Sequence, residues 1–99
     1  MHDNAYIAGM YYHYDPDKRE SNLNKHGLDF EDARTLIESE QNVTFEDKRF
    51  DYREQRFVTL GLLRGRVAVV VTAETEDEVR VISMRWATKH EQDIYFRNL

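Results

Sequence analysis

The sequence is short of several residue types, and each shortage excludes a class of protein. It contains no cysteine, which rules out disulfide bonds, thiolate catalysis and cysteine-ligated zinc. Its four histidines show no H-x-x-x-H spacing, and neither a glycine-rich phosphate loop nor a G-x-S-x-G element occurs. It also lacks a run of ~18 apolar residues and a basic segment followed by an apolar one, the patterns of a membrane span and a secretion signal. We therefore expect a cytoplasmic protein that has no membrane partner and binds neither a metal nor an organic cofactor.

The charge distribution limits the kinds of partner that the chain is expected to bind. The chain has 99 residues, enough for one domain, and a formal net charge of -5. This charge disfavours nucleic-acid binding over the whole surface, because non-specific affinity comes largely from phosphate neutralisation. The acidic excess lies in the first half, whereas residues 51–99 contain eight Lys or Arg and eight Asp or Glu. A local basic site in the second half is compatible with this balance.

Three strand-like runs dominate the second half of the chain. They cover Gln55–Leu63, 66–73 and Glu78–Trp86, and the short links between them predict an antiparallel meander. Strict alternation along the last run predicts that Arg80 and Arg85 point to opposite faces of the sheet. An arginine on an apolar strand costs desolvation unless it is paired or stands at the mouth of a site. These two residues are therefore the first functional candidates.

Helix signals surround the meander. The residues that carry them are Asp15 as N-cap with Pro16 at the first position and Gly27 at the end, Asp29 as a second N-cap, and a capping box at 88–91. Met10–Tyr14 is predicted to be an edge strand and 43–45 a short one. Residues 1–9 are predicted to be a flexible extension before a single domain at 10–99. We expect an α+β fold with an antiparallel sheet, two N-terminal helices and a C-terminal helix.

The polar residues suit the cleavage of a phosphodiester. The groups able to stabilise a pentacoordinate phosphate are Lys25, Arg56, Arg80 and Arg85. Either His26 or Glu54 is suited to accept the proton of a ribose 2′-hydroxyl, and such cleavage needs no metal. The candidates for substrate binding are Lys18, which shares a helical stripe with Lys25, and Trp86 and Tyr95, which have rings able to stack on a base.

Each candidate also has a structural explanation that the sequence leaves open. Glu54 and Arg56 are positioned to pair on one strand face, and His26 is placed to end a helix. The stripe of Lys18 and Lys25 is explained equally by a solvated helix face, and the two aromatic rings by the core. If Arg80 and Arg85 are instead structural, each is expected to be held by a carboxylate such as Glu54 or Glu91.

The order and spacing of these residues resemble the BrnT family of toxins. The elements that carry the resemblance are Tyr14-Asp15-Pro16-x-Lys18, Asn22, Lys25-His26-Gly27-Leu28, Phe30, Glu54-x-Arg56, Gly61, Arg80-x-Ile82-Ser83-x-Arg85-x-Ala87, Glu91 and Tyr95. Two positions differ from the family pattern, because Tyr14 stands where Trp is frequent and Trp86 where a basic or small residue is common.

The resemblance implies a RelE-like fold and an endoribonuclease that arrests growth by cleaving RNA. It also implies a hetero-oligomer with a BrnA antitoxin, whose ribbon-helix-helix part binds operator DNA, so that the toxin meets DNA only through its partner. The matching site positions are Lys25, His26, Glu54, Arg56, Arg80 and Arg85, followed by Tyr95. A non-catalytic module that acts only by binding its antitoxin is the alternative.

Overall fold

The computed structural model describes residues 5–7, 10–49 and 53–99. Its elements are β1 (Ala5–Ile7), β2 (Met10–Tyr14), α1 (Pro16–His26), a 3₁₀ turn (Phe30–Asp32), α2 (Ala33–Glu38), β3 (Asn42–Glu46), β4 (Gln55–Leu63), β5 (Arg66–Glu74), β6 (Glu78–Trp86) and α3 (Lys89–Arg97). The strands form one six-stranded sheet in the order β1-β2-β6-β5-β4-β3. The predicted α+β class is confirmed.

The sheet contains the predicted meander, because β4 pairs antiparallel with β5 and β5 with β6. The prediction of a wholly antiparallel sheet is wrong, since β2 runs parallel to β6 with Tyr14 beside Val81. β2 is also not an edge strand, because β1 pairs with its other side. Part of the predicted extension therefore belongs to the sheet, and its residues 1–4 and 8–9 lie outside the described part of the chain.

Helix α1 begins and ends as its capping residues predict. The Asp15 carboxylate accepts a hydrogen bond from the Asp17 amide at 2.9 Å, Pro16 occupies the first position, and Gly27 ends the helix with a φ of 72°. This positive φ favours glycine, because a side chain there is strained. The local sequence alone therefore sets both ends of α1.

A buried amide, rather than an apolar stripe, joins α1 to the sheet. Leu23 is 42% exposed, whereas Asn22 is buried. The Asn22 Nδ2 donates to the backbone oxygens of Leu28 and Met84, and its Oδ1 accepts from the Met84 amide at 3.1 Å. The side chain thus pairs with β6 as a neighbouring strand would, beyond the point where β2 ends.

The main core lies between the sheet and the first two helices, on what we call the helix face. Its buried residues are Tyr14, Leu28, Phe30, Ala33, Leu36, Leu63, Ala68, Val70, Val81 and Met84. Gly61 of β4 permits the close approach of α2, because a Cβ atom there would lie 2.9 Å from the Leu36 Cγ. Phe30, Ala33 and Leu36 are the residues that the 3₁₀ turn and α2 bury in this core.

Helix α3 packs on the opposite side of the sheet, which we call the open face. The predicted capping box is present, since Thr88 and Glu91 each bond the other's backbone amide. A small second core of Leu60, Val67, Val69 and Tyr95 lies beneath α3. Farther along β4 and β5 this face becomes partly exposed.

A β-bulge interrupts the pairing of β5 with β6. Val71 lies opposite Ser83, whereas the next residue, Thr72, lies opposite Val81. Ile82 is therefore an extra residue on β6 that has no paired residue on β5. One extra residue reverses the alternation of side chains along the rest of the strand.

The bulge places Arg80 and Arg85 on the same face of the sheet. Arg80 lies opposite Ala73 and Arg85 opposite Val69, and these two β5 positions are four residues apart. Residues separated by an even number of positions on a regular strand share a face. The prediction that the two guanidinium groups leave opposite faces is thus wrong, because strict alternation holds only up to Ile82.

Candidate active site

Three arginines from two strands lie on the open face. Ala73 of β5 is paired with Arg56 of β4 on one side and with Arg80 of β6 on the other, so the two arginine side chains flank one small residue. Arg85 lies on the same face, farther along β6. The sheet thus places the arginines that the sequence analysis selected on one face, with Arg56 and Arg80 as near neighbours.

Glu54 holds two of these arginines. Its Oε1 accepts from Arg80 Nη2 at 2.7 Å and lies 3.4 Å from Arg56 Nη2. The hydrogen bond from Arg80 keeps the pKa of the Glu54 carboxyl below its usual range, with a smaller contribution from Arg56. Glu54 therefore stays ionised at neutral pH, orients both guanidinium groups and is a weak proton acceptor.

Arg85 is held by the first turn of α3. Its Nη1 and Nη2 each donate to one oxygen of Glu91, both at 2.7 Å, and the Thr88 amide donates to the same carboxylate at 2.8 Å. The hydrogen bond from Arg85 lowers the pKa of Glu91 to about 2. Both carboxylates named as structural partners in the sequence analysis are therefore found beside their arginines. The guanidinium groups nevertheless remain accessible, since the side chains of Arg80 and Arg85 are 39% and 40% exposed.

A cationic groove follows α1, where the helix lies against β6. Its volume is about 200 Å³, and its lining includes Lys18, Lys25 and His26 from α1 with Ile82 and Ser83 from the bulge. Within the described residues these three basic side chains make no hydrogen bond and no ion pair. The groove therefore offers uncompensated positive charge, in contrast to the arginines of the open face.

The groove and the open face meet at the bulge. Ser83 lines the groove, and its opposite residue Val71 lies on the open face of β5. Ser83 was part of the family resemblance but was not selected as a site residue.

Comparison with known families identifies the group to which the chain belongs. A sequence profile of the family described as ribonuclease toxin, BrnT, of type II toxin–antitoxin system matches residues 14–91. The chain belongs to this family. The match extends from the end of β2 to Glu91, so it includes the groove, the three arginines and both carboxylates. A comparison with characterised individual proteins found no significant match. At the level of the family, the chain is a ribonuclease toxin, and a type II system implies an antitoxin partner.

Two predicted substrate-binding residues of the toxin lie away from this site. The Tyr95 side chain is fully buried, and its hydroxyl donates to the Gln41 carbonyl at 2.7 Å. Trp86 packs against the core of the helix face, and the Arg66 guanidinium lies 4.0 Å from the centre of its ring. Burial assigns the Tyr95 ring to the core, and the register beyond the bulge places Trp86 on the helix face, away from Arg80 and Arg85.

Neither a cluster of metal ligands nor a membrane-spanning helix is found in the described part of the toxin. Among its described residues, no group of three or more His, Asp or Glu side chains is arranged to hold a metal ion. None of the helices in the described ranges is long and apolar enough to cross a membrane.

Proposed function

We propose that the chain is a RelE-like, metal-independent endoribonuclease that arrests growth in the cytoplasm by cleaving RNA. The observation that carries this proposal is that Arg56, Arg80 and Arg85 lie on one face of the sheet, the open face. Cleavage by a ribose 2′-hydroxyl passes through a pentacoordinate phosphate that gains negative charge, and fixed cations stabilise that charge more than they stabilise the ground state.

The ion pairs of the arginines support this role. Glu54 fixes Arg80 and Arg56, and Glu91 fixes Arg85, so the guanidinium groups are oriented before the substrate arrives. Donors fixed in this way need no reorganisation during the reaction. Lys25 and Lys18 in the groove supply further charge for the phosphates on either side of the cleaved bond.

His26 is the better candidate for the general base. Glu54 is disfavoured, because the hydrogen bond from Arg80 lowers its pKa and occupies one of its oxygens. His26 lies in the groove with Lys25 and Ser83 and has no carboxylate partner among the described residues. In the proposed reaction His26 takes the proton of the 2′-hydroxyl, the 2′-oxygen attacks the phosphorus, and the departing 5′-oxygen takes a proton from water. The products are a 2′,3′-cyclic phosphate and a 5′-hydroxyl end.

The proposed partner is a BrnA-like antitoxin with a ribbon-helix-helix part, which forms a hetero-oligomer with the toxin and makes all contacts with operator DNA. Phe96 on α3 is one candidate for its contact surface, since this side chain is 59% exposed. Large exposed aromatic side chains are enriched where a partner docks.

The chemistry is tested with end-labelled RNA in the presence of EDTA. We expect cleavage that leaves cyclic phosphate ends, and no cleavage of a matched oligonucleotide that carries a single 2′-deoxyribose at the cleaved position. Complete loss of cleavage upon chelation, with recovery upon addition of a divalent metal, would show that the mechanism is metal-dependent.

A non-catalytic binding module is the second candidate function. It is favoured by one observation, namely that Arg80 and Arg85 already have carboxylate partners and need no substrate to satisfy them. Under this alternative the purified chain binds its antitoxin, and the complex binds operator DNA, but RNA remains intact. Preserved repression together with intact RNA would identify this function.

A further inference from the structure

The open face contains a cavity beside the arginines that no step of the proposed reaction uses. Its volume is about 380 Å³, within the range of pockets that bind small molecules. Three valines from β4 and β5, Val58, Val69 and Val71, form its apolar floor. Phe45 of β3 forms one wall, and this side chain is 45% exposed. Phe45 and the apolar floor together form a contiguous apolar surface, which is more informative than a single exposed side chain.

The rim of this cavity is polar and contains two guanidinium groups. Arg85 with Glu91 lies on one side, and Arg49 with Asp47 on the other. The Arg49 Nε and Nη2 donate to the two oxygens of Asp47, both at 2.9 Å. The Asp47 side chain is almost wholly buried, so this pair fixes the end of β3 beside Phe45. The cavity thus combines an apolar interior with a rim of paired guanidinium and carboxylate groups, in which the carboxylates orient the guanidinium groups.

We infer that this cavity binds one unpaired nucleobase of the RNA, whose adjoining phosphate lies at Arg85. The inference rests on the proposed ribonuclease function and adds a base-binding subsite to it. Proteins recognise single-stranded RNA by stacking splayed bases on aromatic side chains, because every base has a flat π face. Guanidinium groups at the rim suit the phosphate that must follow the base, since they bind it with charge-assisted hydrogen bonds.

The position of the cavity relative to the groove supports a single RNA path. Val71 lines the cavity and lies opposite Ser83, which lines the groove. Neighbouring strands are ~4.8 Å apart, so the two depressions adjoin across β6. An RNA strand with its phosphates at Lys25 and Arg85 would place one base over Phe45. A side chain of the antitoxin also fits an apolar cavity, but the shared Arg85 favours the nucleotide.

The test compares two exposed phenylalanines. Phe45→Ala removes the wall of the cavity, and Phe96→Ala is the matched control on α3. The probe is a short 2′-O-methyl RNA oligonucleotide, which the enzyme cannot cleave, used intact and with an abasic site at each position in turn. We expect Phe45→Ala to weaken binding about 10-fold and Phe96→Ala to leave it unchanged. Phe45→Tyr keeps the aromatic face and should restore binding.

The oligonucleotides with abasic sites test whether the Phe45 side chain contacts a base directly. One abasic position should weaken binding to the unmodified protein and to Phe96→Ala, but should cause little further loss in Phe45→Ala, because the two changes remove the same contact. Thermal melting checks that the variants are folded.

Other outcomes separate the inference from the proposed function. If Phe45→Ala binds and cleaves RNA as the unmodified chain does, the base subsite is wrong although the ribonuclease stands. The subsite is also wrong if Phe45→Ala weakens only the antitoxin complex. If the unmodified chain binds the oligonucleotide through Phe45 but cleaves no RNA, the subsite stands and the proposed catalysis fails. If it neither binds nor cleaves, both are wrong.

Discussion

The two faces of the sheet are stabilised by different interactions. The helix face is covered by α1 and α2 over a continuous cluster of buried apolar side chains, with Leu36 wholly inaccessible to solvent. The open face is covered only in part by α3, and beyond it the side chains of Arg80 and Arg85 form ion pairs that remain partly exposed. The three arginines of the candidate site therefore lie on the face that contributes less to the core.

Because of this difference, substitutions on the helix face and on the open face should have different effects on stability and on activity. Truncating a buried leucine such as Leu36 costs ~2–5 kcal/mol of unfolding free energy, because burial is lost and a cavity remains. A partly exposed ion pair such as that of Arg80 contributes only ~0–1 kcal/mol. Substitutions on the open face should consequently change the rate of cleavage more than the melting temperature.

The largest expected effect is therefore a loss of rate. Arg80→Ala and Arg85→Ala should each slow RNA cleavage about 100- to 1000-fold, equivalent to ~2.7–4 kcal/mol, as when a single charge-stabilising donor is removed from a transition state. Their melting temperatures should change little. Single-turnover cleavage, growth arrest upon induction and thermal melting measure the three consequences.

Arg19→Ala is a matched control for this comparison. Arg19 bonds Asp29 through two nitrogens, at 2.7 and 2.9 Å, and its side chain is 37% exposed, so the pair is similar in geometry and exposure. It lies on α1, away from the open face, and its removal should leave cleavage unchanged. Full toxicity of a stably folded Arg85→Ala protein would exclude Arg85 from the mechanism.

The parts of this fold that the sequence predicts are those fixed by local chemistry. Asp15, Pro16 and Gly27 define α1, and Thr88 with Glu91 starts α3, because each cap acts within a few residues. The strands of the meander follow from short apolar runs with short links. The site candidates were selected from the chemistry of their side chains, and the family resemblance matched the same positions.

The parts that the sequence does not predict depend on distant partners. The bulge at Ile82 arises from the pairing of β6 with β5, and strict alternation gave the wrong face for one arginine. The sequence did contain a sign of the bulge. Alternation from Val79 and Val81 would place the next inward apolar residue at position 83, but the next one is Met84. The parallel pairing of β2 with β6 joins segments more than sixty residues apart, which no local pattern encodes.

The second prediction concerns Asn22, whose buried side chain connects the helix face to the groove. Its amide bonds the backbone of Met84 and Leu28 in a buried site. Asn22→Ala leaves these backbone groups without partners and should lower the unfolding free energy by ~1–3 kcal/mol. Denaturant unfolding measures this loss. Asn24→Ala, at an exposed position of the same helix, is the control and should be nearly neutral. Equal stability of the two variants would show that the amide does not hold α1.

The smallest expected effect is the pH dependence of the stability that the Glu91–Arg85 pair contributes on the open face. The hydrogen bond from Arg85 lowers the pKa of Glu91 to about 2, so the carboxylate stabilises the folded state only while it is ionised. A group with a lowered pKa contributes fully above its unfolded pKa of ~4.3, and that contribution disappears as the pH falls towards the folded value. At pH 7 the unmodified chain should therefore be more stable than Glu91→Gln by ~1 kcal/mol, the order expected for a partly exposed pair.

The difference between these two proteins should shrink between pH 5 and about pH 2 and vanish below that range. Urea unfolding of both proteins at a series of pH values measures it. Asp93→Asn is the control on the same helix, because Asp93 is half exposed and pairs only with Lys89 among the described residues. Its difference from the unmodified chain should be small at every pH. A Glu91→Gln difference that stays constant from pH 7 to pH 2 would mean that the capping hydrogen bonds of residue 91, rather than its charge beside Arg85, stabilise the start of α3.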